Sequence, residues 1–332
     1  MNVLYTCDDN YVWLMGISII SLFESNHQMS ELNVYLLGEN ISDENKQHLE
    51  KIGQKYGRQI YVIDVPPLDI PSTLVSARWP LSAFTRLYAG QLLPNNIKKV
   101  LYLDCDTIVK GDISELEIQD ISQNIFLGVK DCIGSRYKRN IGLEAQDNYI
   151  NAGVLIINLD ELRKIDMKNI LDKYMLNYAG LISYADQDVL NGVFHNQIGI
   201  LAPKFDVMTI DVVHRYKEIM TLRKPTNFYT QTELENAVSD PAVIHYTTNM
   251  RIVRPWYCNS NHPLKSEFEF YLKISPWKER ELSKMIFTSR ESKIIGVIDV
   301  LPSSISYALL GLIHATIKPL IIKMKNKTKS SK

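Results

Sequence analysis

The chain has 332 residues, of which 45% are hydrophobic and 22% charged, as in an ordinary soluble globular protein. Lysine plus arginine and aspartate plus glutamate both number 37, so the overall charge gives no argument for nucleic-acid binding. The four cysteines form no CxxC pair, which argues against a disulfide framework or a zinc ribbon and favours a reducing compartment. No basic segment with a long apolar stretch opens the sequence, so we expect no secretory signal and a cytoplasmic protein.

The first hundred residues alternate short apolar strands with helices. Ser42 is a suitable N-cap for the second helix, with Asp43 and Glu44 in its first turn, and Gly57 ends it. Elements that alternate in this way predict an α/β fold with a parallel sheet and right-handed connections. The predicted strands are 2–7, 32–37, 59–65 and 99–103; the predicted helices are 11–25, 43–56 and 81–93, with a loop over 71–80.

We predict one domain over residues 1–275 and a helical, basic extension over 276–332. The first is completed by strands at 126–129 and 153–158 and helices at 159–178 and 186–193. In the extension, 277–293 is charged with helical spacing, and 294–322 is rich in isoleucine and leucine but interrupted by Pro302 and Pro319.

The extension has six lysines and no acidic residue between positions 318 and 332. Because neither apolar piece is an unbroken span of about twenty residues, we do not expect a transmembrane helix. An apolar stretch followed by lysines is typical of a segment that lies on an anionic membrane surface, here the inner face of the plasma membrane. A C-terminal helix docked on the core, with a frayed tail, is an equally good interpretation.

Asp104 and Asp106 directly follow the apolar strand 99–103. In α/β sheets ligands bind beyond the carboxyl ends of the strands, so two carboxylates on one side, with Cys105 opposite, could bind a hard divalent cation. The same Asp-x-Asp-x-Thr pattern opens haloacid-dehalogenase-type phosphatases, where an aspartate is the nucleophile. That family places it near the start of its domain, whereas 103 residues precede it here.

Several other catalytic motifs are absent from the sequence. There is no GxGxxG after a strand, no GxxxxGK[ST], no HExxH and no GxSxG. Their absence argues against dinucleotide-binding, P-loop, zincin and serine-hydrolase chemistry.

The chain carries six short motifs in a fixed order: Thr6-Cys7-Asp8-Asp9-Asn10-Tyr11, Arg86, LYLDCD at 101–106, Asn151-Ala152-Gly153-Val154, Asp186-Gln187-Asp188, and His245-Tyr246 with Pro255-Trp256. In this order they resemble glycosyltransferase family 8, over roughly residues 1–260. That family contains retaining enzymes of the GT-A fold, among them glycogenin and bacterial lipopolysaccharide galactosyl- and glucosyltransferases. The resemblance implies a Rossmann-like, mostly parallel central sheet flanked by helices.

The resemblance also implies a metal site and a nucleotide-sugar site. Asp104, Asp106 and His245 match ligands of Mn²⁺ (or Mg²⁺), which would hold the phosphates of a UDP-hexose, and two carboxylates with an imidazole suit manganese. Asp8 and Asn10 match uridine-binding positions. The donor-binding residues implied in this way are Thr6, Asp8, Asn10, Arg86, Asp104, Cys105, Asp106, Asn151, Ala152, Asp186, Gln187, His245 and Arg254.

Gln187, Asp186 and Asp131 are the catalytic candidates that the resemblance implies. Gln187 matches the residue nearest the anomeric carbon, and an amide is a poor nucleophile, so we expect front-face attack by the acceptor with a UDP oxygen taking its proton. Asp186 and Asp188 are the alternative nucleophiles. Singly these residues also have structural interpretations: Asn151 could cap a turn, and Asp186 a helix.

One segment departs from the family pattern His-x-x-Gly-x-x-Lys-Pro-Trp. Residues 245–256 read HYTTNMRIVRPW, without the glycine and with Arg254 in place of the lysine, while Arg251 is a second candidate for phosphate binding. We predict a Mn²⁺-dependent retaining hexosyltransferase that moves glucose or galactose from a UDP-sugar to a glycan acceptor on lipopolysaccharide, a polysaccharide or a glycoprotein. The alternatives are the phosphatase and a non-catalytic glycan- or membrane-binding relative.

Overall fold

The computed structural model describes residues 1–71 and 81–330, so the predicted loop over 71–80 lies almost wholly outside the described residues. Within them, the strands form a seven-stranded and a three-stranded sheet. The strands are β1 (Asn2–Asp8), β2 (Asn33–Glu39), β3 (Ile60–Asp64), β4 (Lys99–Leu103), β5 (Thr107–Val109), β6 (Phe126–Lys130), β7 (Ile150–Asn158), β8 (Ile198–Ile200), β9 (Val207–Met208) and β10 (Val243–His245).

Helices cover both faces of the larger sheet and continue beyond it to residue 330. The α-helices are α1 (Val12–Ser25), α2 (Asp43–Tyr56), α3 (Ala89–Leu92), α4 (Ser114–Glu117), α5 (Ser135–Asn140), α6 (Leu159–Leu162), α7 (Met167–Tyr178), α8 (Ala185–Phe194), α9 (Thr209–Val213), α10 (Tyr216–Arg223), α11 (Gln231–Ser239), α12 (Lys265–Lys273), α13 (Ser289–Val300), α14 (Ser303–Leu312) and α15 (Lys318–Ser330). As predicted, Ser42 Oγ caps α2 by accepting from Asn45 N, and Gly57 ends it with a left-handed φ of 61°.

The larger sheet has the strand order β3-β2-β1-β4-β7-β6-β8. The first four of these strands run parallel, and so do β6 and β8. Strand β7 lies antiparallel to both β4 and β6. The prediction of a mostly parallel α/β sheet is therefore confirmed, but an entirely parallel sheet would be wrong because of β7.

The smaller sheet was not predicted from the sequence, and it positions part of the site. Its order is β5-β10-β9. Three residues separate the end of β4 from the start of β5, and β10 pairs with β5 antiparallel, which places His245 opposite Thr107. A histidine from late in the chain is thereby brought next to Asp104 and Asp106.

Three predicted helices differ from the observed ones. Residues 81–93 form two 3₁₀ turns and the short α3 instead of one helix. The predicted 159–178 helix is split into α6 and α7, because Asp166 caps a new helix and accepts from Asn169 N at 3.2 Å. Residues 280–288 are not helical, and α13 starts only at Ser289, where Thr288 and Glu291 form a capping box.

The core lies on both faces of the larger sheet, with α1 buried along most of its length. Trp277 is part of this core: its ring fills the space beside Gly16 and lies edge-on to His48, 5.1 Å between ring centroids. The chain just beyond residue 275 thus packs against the main body. The division at residue 275 stays a prediction.

The C-terminal helices run from Ser303 to Ser330 without a break, although Pro319 was predicted to interrupt them. A π-helical turn at Ile313–Ile317 links α14 to α15 just before the proline. Asn140 of α5 donates to the Pro319 carbonyl at 3.0 Å. Residues Ser303–Asn326 make one helix that is long and apolar enough, by length and composition alone, to cross a membrane.

Candidate active site

Asp104, Asp106 and His245 meet at the carboxyl end of β4. One ligand atom from each lies within 4.8 Å of the others. His245 Nε2 is 3.3 Å from Asp106 Oδ1 and 3.8 Å from Asp104 Oδ2. Two carboxylates and an imidazole facing one point are a donor set that fits a divalent cation such as Mn²⁺, so the chemistry of the residues agrees with the metal site that the sequence predicts.

Backbone contacts fix the turn that carries the two aspartates. Asp104 N donates to Gly153 O at 2.8 Å, and Tyr246 N donates to Asp106 O at 3.0 Å. The Cys105 thiol points away from the pair and contacts Thr6 O at 3.6 Å. Asp104 and Asp106 therefore share a side, as predicted, although they lie in a turn after β4 and not in the strand itself.

His245 is held from behind by Asp206, a residue that sequence reasoning missed. Asp206 Oδ1 accepts from His245 Nδ1 at 2.9 Å, and both side chains are buried. This contact directs Nε2 towards Asp104 and Asp106. No local motif marks Asp206, because it approaches His245 only through the pairing of β9 with β10.

The charges of His245 and its carboxylate neighbours shift one another's pKa values. Burial alone would lower the pKa of His245, but the attraction of Asp206 and Asp106 outweighs it and raises that pKa well above its usual value. Burial would raise the pKa of Asp106, and the attraction of His245 and Arg254 reverses this and lowers it. These two carboxylates therefore favour the doubly protonated form of His245, with Nδ1–H facing Asp206 and Nε2–H facing Asp106.

Arg86 connects the metal-site residues to the start of α8. Its guanidinium lies 3.0 Å from Asp104 Oδ1 and 3.1 Å from Asp186 Oδ2, and it also donates to the Ala152 carbonyl. Tyr102 lies under the guanidinium, 4.2 Å from ring centroid to Arg86 Cζ, and donates to Asp104 Oδ1 at 2.6 Å. Burial raises the pKa of the Asp186 carboxyl to about 6, against the attraction of Arg86.

Gln187 has a fixed amide orientation. Its Nε2 donates to Asp131 Oδ2 at 2.8 Å and to Tyr149 Oη at 3.2 Å, while its Oε1 accepts from Ala152 N at 3.2 Å. Tyr149 in turn donates to Asp188 Oδ1 at 2.6 Å. The structure therefore brings Gln187, Asp131 and Asp186 together around the carboxyl end of the sheet, and it adds Tyr149 to the predicted set.

Asn151 and Thr6 are tied to their surroundings. Asn151 Oδ1 accepts from Gly153 N at 2.7 Å, which agrees with the turn-capping interpretation. Thr6 Oγ1 hydrogen-bonds with Tyr102 Oη at 3.1 Å. Asp8 and Asn10 lie at the end of β1, where Asp8 accepts from Asn10 N at 2.9 Å.

Comparison with known proteins gives the family. The sequence model described as "Glycosyl transferase family 8" matches residues 2–259, more than three quarters of the chain. The chain belongs to glycosyltransferase family 8. It is a glycosyltransferase, and the predicted family is confirmed.

Relatives of this family 8 protein include enzymes of lipopolysaccharide synthesis. It is 28% identical over 297 residues to a lipopolysaccharide 1,2-glucosyltransferase of Escherichia coli, covering 86% of this chain and 81% of that protein. It is 25% identical over 284 residues to general stress protein A of Bacillus subtilis, covering 83% and 94%. The solved galactosyltransferase LgtC, in complex with donor and acceptor sugar analogues, superposes with a TM-score of 0.70 at 25% identity, covering 83% and 96%. The predicted GT-A fold is confirmed.

The segment that departs from the family 8 pattern still brings a positively charged side chain, that of Arg254, next to the candidate metal-binding residues. Arg254 Nη1 lies 3.7 Å from Asp106 Oδ2, and its guanidinium stacks on Trp256, 4.5 Å from Cζ to the ring centroid. Tyr11 is half exposed, and partial burial of its hydroxyl raises its pKa, with Arg254 acting against this and Asp106 and Asp8 adding to it. Tyr11 is the last residue of the motif at positions 6–11, but it was not among the predicted donor-binding residues.

Proposed function

We propose that this glycosyltransferase transfers glucose or galactose, with retention, from a UDP-hexose to a hydroxyl of a glycan acceptor. The convergence of Asp104, Asp106 and His245 next to the Gln187–Asp131 pair carries this proposal. In this proposal the three residues bind the cation on one side of Arg86, and the carboxylates and amides on the other side contact the sugar; the proximity of these groups to Arg86 supports it. The activities named for the lipopolysaccharide glucosyltransferase and for LgtC support a hexose donor, and the first of these names supports a lipopolysaccharide acceptor. A polysaccharide or a glycoprotein is the alternative acceptor.

On the nucleotide side, Asp104, Asp106 and His245 would hold Mn²⁺ or Mg²⁺. The bound cation supplies Lewis-acid neutralisation of the charge that grows on the diphosphate as the glycosidic bond breaks. Arg254 contributes a fixed guanidinium next to Asp106, which suits bidentate phosphate binding. Thr6, Asp8 and Asn10 bind uridine at the end of β1, and the Tyr11 ring offers a flat face to the base. Cys105 contributes only its backbone, since its thiol faces Thr6.

On the sugar side, carboxylates and amides read the hydroxyl stereochemistry of the donor. Asp131, Asn151 and Asp186 provide hydrogen-bond acceptor atoms for the sugar hydroxyls. Arg86 orients Asp186, and its hydrogen bond to the Ala152 carbonyl fixes the nearby backbone. Because Arg86 contacts both Asp104 and Asp186, it sets the spacing between the diphosphate and the sugar ring.

The arrangement of Gln187 favours front-face attack by the acceptor hydroxyl, whose proton passes to the UDP oxygen that leaves. Gln187 Oε1 is already a hydrogen-bond acceptor from Ala152 N, and an amide oxygen is a poor nucleophile. Of the alternative nucleophiles, Asp186 is paired with Arg86, and Asp188 accepts from Tyr149 and from the backbone N–H groups of residues 183 and 184.

UDP release from UDP-glucose and UDP-galactose, measured with Mn²⁺ and with EDTA, tests the proposed function. We expect turnover with one of the two donors, loss of turnover in EDTA, and loss of turnover in Asp106→Ala with the fold unchanged by circular dichroism. Absence of UDP release from both donors, with and without acceptor, contradicts the proposal. The match to glycosyltransferase family 8 gives no support to the phosphatase alternative. Because this is a family of enzymes, the match also argues against a non-catalytic glycan- or membrane-binding protein.

We further propose that the protein is cytoplasmic and associates peripherally with the membrane through α14 and α15. Several large apolar side chains of these helices are exposed, and basic residues follow them. Such a surface can lie in the interface of an anionic bilayer, with the lysines near the headgroups. The exposed side chains are Ile305, Leu309, Leu312, Ile313, Ile317, Leu320, Ile321 and Met324.

A further inference from the structure

A cavity of about 280 Å³ lies between the main body and the C-terminal helices. Its walls come from α9 and α10, the segment 248–251, and the helices α13 to α15. The basic and imidazole side chains that line it are His214, Arg223, Arg251, His314 and Lys318. Among the described residues of this lining, none is an aspartate or a glutamate.

The rest of the lining is mostly apolar. Ile210, Leu222, Met250, Leu310 and Ile313 contribute to it. A cavity that combines cationic groups with aliphatic side chains is suited to an amphiphile with an anionic head. Its volume fits a phosphate group and a short length of alkyl chain.

Arg223 and His314, two side chains of the lining, contact each other. Arg223 donates to His314 Nε2, while Arg223 Nε is buried without a hydrogen-bond partner. Burial and the nearby cations Arg223 and Lys318 lower the pKa of His314 to about 3, so its ring is neutral. Glu218 lies near His214 of the lining and pairs with Arg215 at 2.6 Å.

The cavity adjoins the candidate active site through two chain segments. The end of α10 continues to Pro225 and Thr226, which pair with Gly134 and Ile133 shortly after Asp131. The segment 248–251 follows His245 along the chain and is part of the stretch that departs from the family pattern. Arg223 of the cavity lining also lies close enough to Asp131 for their charges to interact, so the cavity borders the Asp131 side of the candidate active site.

We propose that this cavity binds the phosphate of a lipid-linked acceptor, with the first part of the lipid chain against its apolar wall. This rests on the proposed function insofar as the bound lipid is the acceptor. The ligand class is an alkyl phosphate or diphosphate. An anionic phospholipid of the bilayer carries the same chemistry, and the test separates the two sources.

Calorimetric titration of the full-length protein with octyl phosphate below its micellar concentration tests the cavity. We expect saturable binding of octyl phosphate, and no binding of 1-octanol or inorganic phosphate at the same concentrations. Equal binding of 1-octanol shows that the cavity does not select an anion, and equal binding of inorganic phosphate shows that it does not select an amphiphile. Either result overturns the proposal.

Three variants connect binding to the cavity. Lys318→Gln and Arg251→Gln should each weaken octyl phosphate binding at least about tenfold. Lys323→Gln makes the same charge change on an exposed residue of the same helix and should leave binding unchanged. Leu310→Trp fills the cavity and should abolish binding while UDP-hexose hydrolysis continues. Equal loss in Lys323→Gln, or full binding in Leu310→Trp, contradicts the assignment.

Competition distinguishes the two lipid sources. Phosphatidylglycerol vesicles should leave octyl phosphate bound in the cavity, whereas displacement by vesicles assigns the cavity to bilayer lipid and overturns the acceptor assignment. Octyl phosphate binding is measured without UDP-hexose, so it can succeed or fail independently of sugar transfer.

Discussion

Gly153 determines how closely β7 can approach His245. A Cβ at this position would collide with His245 Cε1 and lie 2.7 Å from its Nδ1. The backbone of Gly153 also accepts from Asp104 N, so one residue contacts two members of the proposed metal site. The absence of a side chain is therefore required by the geometry of the site.

We expect Gly153→Ala to displace His245 and to reduce UDP-hexose turnover about a hundredfold. Overpacking should also lower the free energy of unfolding by about 1–3 kcal/mol. The matched control is Gly296→Ala in α13, where an added Cβ meets nothing within 4 Å. That variant should keep full activity and gain about 0.5–1 kcal/mol of stability. Wild-type turnover in Gly153→Ala would show that His245 tolerates the collision.

A second prediction for a single residue concerns Asp206. Replacing it by asparagine removes the charge that orients His245 Nδ1. We expect Asp206→Asn to weaken Mn²⁺ binding about tenfold or more, because partners of metal-ligating histidines contribute on this scale. Manganese paramagnetic resonance measures the free ion directly and needs no turnover. Unchanged Mn²⁺ affinity would argue that Asp206 only fills space behind the ring.

At the scale of elements, the C-terminal helix offers the clearest test of membrane contact. Leu309 is 41% exposed and Ile321 45% exposed, so a charge at either site enters solvent at little cost to the fold. Leu309→Glu combined with Ile321→Glu should reduce co-sedimentation with phosphatidylglycerol vesicles at least about tenfold, with an unchanged thermal midpoint.

Leu176→Glu is the control, since Leu176 is 85% exposed but lies on α7 in the main body. Its vesicle binding should equal that of the native protein. If the double variant also binds as the native protein does, the apolar face of α14 and α15 is not the membrane-binding surface.

Strands and helices with strong local signals were predictable from the sequence, while relations between distant segments were not. The apolar runs of β1, β2 and β4 and the caps of α2 are local, and the structure contains them. The direction of β7 and the pairing of β10 with β5 depend on contacts far apart in sequence. Asp206 was missed for the same reason, although Asp104, Asp106 and His245 were found through their motifs.

Pro319 illustrates how tertiary contacts override a local rule. A proline inside a helix loses one backbone hydrogen bond, which is why the sequence predicts an interruption. The π-turn at Ile313–Ile317 and the bond from Asn140 to the Pro319 carbonyl accommodate it. Neither contact can be read from the local sequence.

For the whole molecule, buried carboxyl groups make stability depend on pH. Burial raises the pKa of Asp211 to about 8, and one of its oxygens has no hydrogen-bond partner. An unfolded aspartate titrates near 3.9. The folded state thus binds a proton that the unfolded state has lost between about pH 4 and pH 8, and the stability due to this proton declines as the pH rises through that interval.

Asp211→Asn should therefore become more stable, relative to the native protein, by about 1 kcal/mol for each pH unit between pH 5 and pH 7. The amide oxygen can still accept from Met208 N, as Asp211 Oδ2 does at 3.1 Å. Urea denaturation at several pH values gives the difference. Parallel stability curves for the two proteins would mean that Asp211 is already ionised in the folded state.

The proton on His245 Nε2, which faces Asp106, links cation uptake to acid–base exchange. A cation at the proposed site needs the bare Nε2, so each binding event must expel that proton into solution. Apparent Mn²⁺ affinity should then rise with pH until the pKa of His245 is passed. The heat of binding measured in Tris should differ from that measured in PIPES by the difference between the ionisation enthalpies of the two buffers, multiplied by the number of protons released, which makes the buffer itself a reporter of metal binding.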